Sequence, residues 1–222
     1  MEGDTVRNRL REHVARKSIL SARDRCVVAI DGVDGSGKTI FAAELAAAAA
    51  SLGYSVIRAS IDGFHRPKEL RYLRGRNSPE GYFLDSYDYD TFRQDLLSPF
   101  RSGARYVHTA RFDHTKNEEV TSAVAEAEAR SLLLIDGIFL HRDELVDCWD
   151  LSVFLQVPFP TSYMRMAARD GSNPDPNAPE NRRYLEGQRI YLRQCAPQHR
   201  ATILIDNADL DHPQILRELP FG

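Results

Sequence analysis

The chain has 222 residues, with 29 Lys and Arg against 32 Asp and Glu and a net charge of −3. That length suits one α/β domain with a substantial core, and the balanced charge argues against the basic footprint of a nucleic-acid binder. Cys26, Cys148 and Cys195 are isolated, which speaks against a disulfide framework or a zinc site and fits a reducing cytoplasm. No apolar run approaches the roughly 20 residues needed to span a bilayer, and the acidic start Met1-Glu2-Gly3-Asp4 does not read as a secretory signal. The expected setting is therefore cytoplasmic, with no membrane partner.

Val6, Leu10 and Val14 fall at helical spacing with Arg7, Arg9, Arg11 and Arg16 between them, predicting an amphipathic helix within residues 1–22. Arg25 to Ile30 is nearly all apolar, as in a strand buried on both faces of a parallel sheet. Then comes Gly32-Val33-Asp34-Gly35-Ser36-Gly37-Lys38-Thr39, which fits G-x-x-x-x-G-K-[ST] at every fixed position. Its glycines let successive backbone N–H groups point inward at phosphate oxygens. The loop feeds a helix N-terminus, which favours the same anion. Lys38 is placed to reach the β- and γ-phosphates, and the Thr39 hydroxyl to hold Mg²⁺. The alanine-rich run from Ile40 to Leu52 supplies that helix, with Gly53 as its terminator. A second strand, Ser55 to Ile61, ends in Asp62-Gly63-Phe64-His65.

From Arg66 to Asp90 arginines and aromatics interleave with Pro and Gly, so this stretch reads as an irregular, substrate-facing loop within an acceptor-binding insertion at 66–120. Thr91 to Phe100 looks helical. Arg105 to Phe112 reads as one strand of a small hairpin with Asp113-His114 at its end, and Glu118 to Ala129 as a polar, loosely packed segment. Ser131 to Gly137 is a buried strand ending in Asp136. Asp150 to Val157 is the next, stopped by Pro158 and Pro160. Thr161 to Asp170 reads as a helix, the proline-rich Ser172 to Asn181 as a loop, and Arg182 to Cys195 as a long helix, so that 161–195 makes a helical lid. Ala201 to Asp206 is the last strand, and the tail to Gly222 caps one edge. Five apolar strands alternating with helices predict one α/β domain over 1–222, with a doubly wound, five-stranded parallel sheet. Ligands of such sheets bind at the strands' carboxyl ends, which brings the phosphate loop, Asp62 and Asp136 to one cleft.

Phosphoryl transfer needs positioning and charge neutralisation, plus a carboxylate for the acceptor's proton. Asp62 suits that base. Asp136, ending Leu-Leu-Leu-Ile-Asp, suits the metal side beside Thr39. Arg165 and Arg169 are four apart, share a helix face and suit a lid that closes on transferred charge. Arg182 and Arg183 follow in the same region. His65, Arg66, Asp85, Asp88, Asp113 and His114 are the candidates for the acceptor.

The phosphate loop, Asp62-Gly63-Phe64-His65, Ile135-Asp136-Gly137-Ile138-Phe139-Leu140 and Arg165 to Asp170 together resemble the uridine kinase, phosphoribulokinase and bacterial pantothenate kinase superfamily, from about Val27 to Asp206. The resemblance implies a P-loop NTPase fold, ATP and Mg²⁺, and a small-molecule acceptor. It also implies Asp62 as base, Phe112-Asp113-His114 as part of an acceptor-side hairpin, and Arg165 to Asp170 as the lid helix. The family often has Glu where this chain has Asp136. Compact uridine kinase-like proteins are the nearest likeness, which makes a nucleoside such as uridine the leading acceptor, with pantothenate or a sugar next. An NTPase that uses water and a nucleotide-binding regulator without turnover are the readings from other classes. A homodimer is left open.

Overall fold

The structure is a computed structural model that describes residues 5–21 and 24–220. Met1 to Asp4 and Ala22, part of the expected N-terminal segment, lie outside the described residues, as do Arg23, Phe221 and Gly222. Among the described residues ten strands run in chain order: β1 Arg25–Gly32, β2 Ser55–Ser60, β3 Tyr106–His108, β4 Phe112–Asp113, β5 Glu118–Glu119, β6 Val124–Glu126, β7 Ser131–Gly137, β8 Leu151–Gln156, β9 Ile203–Asp206 and β10 Gln214–Glu218. The central sheet has the order β10-β9-β8-β1-β7-β2. Its β1, β2, β7, β8 and β9 are parallel, as expected. The tail does more than cap the edge. It adds β10 as a sixth, antiparallel strand on β9, which satisfies backbone groups that an open edge would leave bare.

Side chains alternate across each strand, and the central strands are buried on both faces. On β1, Val27 and Ala29 join one core while Cys26, Val28 and Ile30 join the other. On β7, Leu133 and Ile135 part from Leu132 and Leu134 in the same way. The second core is closed by α1 (Val6–Ser21), through Leu10 and Val14, and by α2 (Lys38–Ser51), through Phe41 and Leu45. Burying two faces explains why β1 and β7 show continuous apolar runs with no alternation.

The first core is roofed by the insertion and by α8 (Arg182–Cys195). The expected irregular stretch proves to be a set of short helices: α3 (Lys68–Arg71), α4 (Pro79–Asp85) and α5 (Tyr89–Phe92), the last running through a π turn at Arg93–Leu97 into α6 (Ser98–Arg101). Ser78 caps α4, with Pro79 in its first turn, and Asp88 caps α5. Four- and seven-residue helices show too few turns for a 3.6-residue period to stand out. The hairpin also differs from expectation. β3 pairs with β6 and β4 with β5, so the polar stretch after Glu118 supplies strands. Ile61 leaves β2 for a 3₁₀ turn, Ile61–Phe64, because the Ser60 side chain accepts the Asp62 N–H and closes the strand. The helix expected from Thr161 begins earlier, as α7 (Phe159–Asp170), with Pro160 tolerated in its first turn. The remaining helix is α9 (Pro197–Arg200). No helix among the described residues is long and apolar enough to cross a membrane.

Register fixes the site. Ile30 of β1 and Ser60 of β2 both lie level with Asp136 of β7. Asp31 and Asp136, each one residue short of its strand's end, and Asp62, two residues past the end of β2, therefore lie close to one height, beside the phosphate loop.

Candidate active site

Gly35 sits at φ 71°, and a Cβ there would lie 2.3 Å from the Ser162 carbonyl oxygen of α7. Only glycine lets the loop pass so close to that helix. The Ser36 N–H donates to the Val33 carbonyl at 3.1 Å, and the Lys38 ammonium donates to the same oxygen at 2.9 Å. Asn207, just past β9, donates to the Ser36 carbonyl at 2.8 Å. Gly37 in the left-handed region starts α2. Glycine turns, a lysine folded over them and a helix N-terminus make a cradle for phosphate oxygens.

Asp34 ties the loop to the roof. Its N–H donates to Gln188 of α8 at 2.8 Å, and its carboxylate accepts the Tyr82 hydroxyl at 3.1 Å and the Gln188 amide at 3.2 Å. Burial pushes this carboxyl above its ordinary range, against the pull of Lys38. The arrangement depends on Gly187, since a Cβ there would meet the Tyr82 ring at 2.7 Å and hold α8 off α4.

The Thr39 hydroxyl donates to Asp136 at 2.9 Å, and burial raises the Asp136 carboxyl. Two hard oxygen donors side by side at the phosphate cradle suit Mg²⁺, which takes few protein ligands and completes its shell with phosphates and water. Among the described residues no three His, Cys, Asp or Glu side chains form a metal cluster, so the fit rests on that pair. Across the cleft, Asp62 is exposed to it on the 3₁₀ turn. The Tyr87 hydroxyl donates to its carboxylate at 2.9 Å, and His65 Nδ1 lies 2.8 Å from its carbonyl. His65 stacks on His114 with ring centroids 4.5 Å apart, and burial lowers its pKa to about 4.

One cleft of about 520 Å³ collects Asp34, Gly35, Lys38, Thr39, Asp62, His65, His114, Asp136 and Arg169. Several expected residues are elsewhere. Gly32, Ser36 and Gly37 shape the loop without lining this cleft. Arg165 donates to the carbonyls of Asn207 and Ala208, at 2.9 and 2.8 Å. It borders a second cavity of about 650 Å³ with Gly37, Ile40 and Leu210, on the other side of Lys38. Arg169 lines both cavities and pairs with Asp170 at 2.7 Å. Arg66, Asp85 and Asp113 are not among the lining residues. Asp85 accepts from Arg74 at 3.0 Å, and Asp113 caps its own turn through the Thr115 and Lys116 N–H groups. Arg71, Tyr72, Tyr82, Tyr87 and Tyr184 line the cleft and were not singled out as site residues from sequence, nor was Gln188. The spacing of Tyr184 and Gln188, one turn apart on α8, was the available signal.

Beneath the loop lies a buried polar knot. His141 Nδ1 and Asp31 Oδ2 are 2.7 Å apart, the Tyr191 hydroxyl donates to the same oxygen, and the other oxygen accepts the Gly32 N–H at 2.6 Å. Asp31 and His141 are both fully buried. Burial and the nearby Asp31 charge raise the Tyr191 phenol well above its ordinary value, which keeps it a donor.

The mostly parallel sheet flanked by helices and the phosphate loop between β1 and α2 are the features of a P-loop kinase fold. No protein-family model matches the sequence. A uridine kinase candidate from Bacillus stearothermophilus is 23% identical with a TM-score of 0.68, covering 88% of this chain and 97% of that one. A candidate kinase of a fructose transport system from a Silicibacter species is also 23% identical, with a TM-score of 0.66 and coverage of 82% and 94%. Phosphoribulokinase from Rhodobacter spheroides is 15% identical, with a TM-score of 0.52 and coverage of 90% and 77%. At these identities the likeness is one of fold, and it agrees with the superfamily that the motifs resemble.

Proposed function

We propose that the chain is a kinase that moves the γ-phosphoryl group of ATP to a hydroxyl of a small metabolite. One observation carries the reading: a carboxylate, Asp62, faces the phosphate cradle across one cleft, its orientation held by Tyr87. An NTPase that activates only water has no need of the aromatic and basic wall around it. In the proposed reaction the acceptor oxygen forms a bond to the γ-phosphorus, its proton passes to Asp62, and the bond to the ADP oxygen breaks. Lys38 leaves the Val33 carbonyl for the phosphates. Thr39 and Asp136 are the residues that would hold Mg²⁺, which when bound neutralises phosphate charge. Arg169, already on the cleft wall, and Arg165, one turn earlier, would close with α7 over the nucleotide. His65 and His114 would meet the acceptor.

The likeness to a uridine kinase candidate and the tyrosine-lined wall support a nucleoside as the acceptor, with pantothenate or a sugar as alternatives. Its three cysteines are free, in keeping with the reducing cytoplasm we propose as its setting. The test is Asp62→Asn, assayed for ADP release with a panel of hydroxylated acceptors. Nucleotide binding should stay within about threefold of wild type, while transfer falls by roughly 10²- to 10⁴-fold. Wild-type turnover in this variant would remove Asp62 from the role of base.

A further inference from the structure

Two arginines on the cleft wall have no counter-charge. Arg71 of α3 is 7% exposed and Arg183 of α8 is 9% exposed, and both line the cleft. Neither forms an ion pair with any described carboxylate, whereas Arg74, Arg169 and Arg189 each do. The Nε of each is buried without a hydrogen-bond partner. Arg71 makes one long hydrogen bond, 3.4 Å, to the His114 carbonyl. What holds the two together is a ring: Arg183 lies 4.8 Å and Arg71 5.5 Å from the centroid of Tyr72. Against the upward push of burial, a hydrogen bond from Arg183 and the charges of the nearby arginines hold the Tyr72 phenol below its ordinary value. Cation–π contacts offset part of the cost of burying these charges, but an Nε–H buried without an acceptor leaves each guanidinium only partly satisfied.

Their position separates them from the nucleotide's phosphates. A chain of contacts runs around the cleft from Asp34 to the Tyr82 hydroxyl, on to Arg183 over the Tyr82 ring, across Tyr72 to Arg71, and through His114 and His65 to Asp62. The arginines therefore lie midway along the wall that leads from the loop to the proposed base, on the acceptor's side. The cleft's other charges have partners: Asp136 has Thr39, Asp170 has Arg169, and Asp34 and Asp62 each hold a tyrosine hydroxyl. We infer, building on the kinase reading above, that the acceptor carries an oxyanion in addition to its hydroxyl, a carboxylate or a phosphate ester, and that Arg71 and Arg183 bind it. Planar guanidinium groups suit both anions through paired N–H donors. Within that kinase reading the site thus favours a charged acceptor, pantothenate (a carboxylate) or a phosphorylated nucleoside or sugar, over the neutral nucleoside that the likeness of fold alone supports.

The experiment compares matched acceptors at saturating ATP–Mg²⁺, following ADP release and confirming products by mass: glycerol against glycerate and glycerol 3-phosphate, ribose against ribose 5-phosphate, and uridine. The best anionic acceptor should exceed its neutral counterpart in kcat/KM by on the order of 100-fold, and the carboxylate and phosphate arms show which anion is preferred. Arg71→Gln and Arg183→Gln should each raise KM for that acceptor roughly 10- to 100-fold, with KM for ATP moved less than about threefold. Arg183→Lys, which keeps the charge and loses the planar fork, should recover part of the loss. Uridine or ribose outperforming every anionic acceptor overturns this inference and leaves the kinase reading standing. So does an arginine variant whose defect falls on KM for ATP. If no compound, charged or neutral, drives ADP release above the rate with water, the kinase reading falls and the inference falls with it. Should the glutamine variants fail to fold, the wild-type comparison decides alone.

Discussion

His141→Phe removes one donor from the buried knot under the phosphate loop while keeping a ring of similar size against Phe154, whose centroid is 6.3 Å from that of His141. Asp31 keeps two of its three hydrogen bonds, from the Gly32 N–H and the Tyr191 hydroxyl. With two donors remaining, a loss of about 2–3 kcal/mol is expected, close to that of one hydrogen bond to a charged group. For a chain of this length each kcal/mol shifts Tm by roughly 2–4 °C, so Tm should fall by about 5–10 °C. Urea unfolding gives the free energy directly. The second readout is a double-mutant cycle with Asp31→Asn, because removing the charge removes most of the need for the histidine. The pair should cost less than the sum of the singles by at least 1 kcal/mol or so. Strictly additive losses, or a His141→Phe variant within about 0.5 kcal/mol of wild type, would refute the view that the knot is a coupled unit supporting the loop.

Two further outcomes follow from the geometry. Gly35→Ala must place a Cβ 2.3 Å from the Ser162 carbonyl, so α7 has to move away from the loop, and binding of a non-hydrolysable ATP analogue should weaken by more than about tenfold. Gly53→Ala, with similar φ but nothing within 4 Å, should cost only about 1 kcal/mol of backbone strain and leave nucleotide affinity intact, and equal calorimetric affinities for the two variants would contradict this. His65 is lowered to about 4 by burial, so below the unfolded value near 6.5 the unfolded chain binds the extra proton. Stability should therefore fall as pH drops from about 6.5 to 4, by up to about 3 kcal/mol from this residue. His65→Gln should flatten that part of the unfolding profile, and an unchanged slope would locate the titration elsewhere.

What could be seen in the sequence was what local chemistry dictates. The glycine-lysine loop is recognisable because each fixed position answers to one contact with phosphate, and the strands β1 and β7 because burial on both faces permits only apolar residues. Asp136 was legible because it lies near the end of such a strand and Asp62 because it follows β2 by two residues, and parallel register brings strand ends level. The helices α7 and α8 were visible through the prolines that bound them and the spacing within them. The short elements within the insertion, other than the helical stretch ending at Arg101 and the strand at Tyr106–His108, were not, since two-residue strands and four-residue helices are too short to carry a period, and β10 joins the sheet through an antiparallel pairing that its own alternation barely announces. Asp85 and Asp113 show the opposite error. An acid beside aromatics reads as ligand chemistry, yet one is occupied by Arg74 and the other by its own turn.

The acceptor wall was hidden for a different reason. Arg71 and Arg183 are 112 residues apart in sequence (183 − 71) and meet where Tyr72 offers a ring to both, and no local pattern encodes a meeting across the fold. The same long-range packing governs the rest of the site. Gly187 admits α8 to α4, which sets Tyr82 and Gln188 on Asp34 and so connects the phosphate loop to the arginine wall. The phosphate loop is thus written in one contiguous motif, whereas the wall facing it is assembled from α3, α4 and α8, whose side chains meet only in the folded chain.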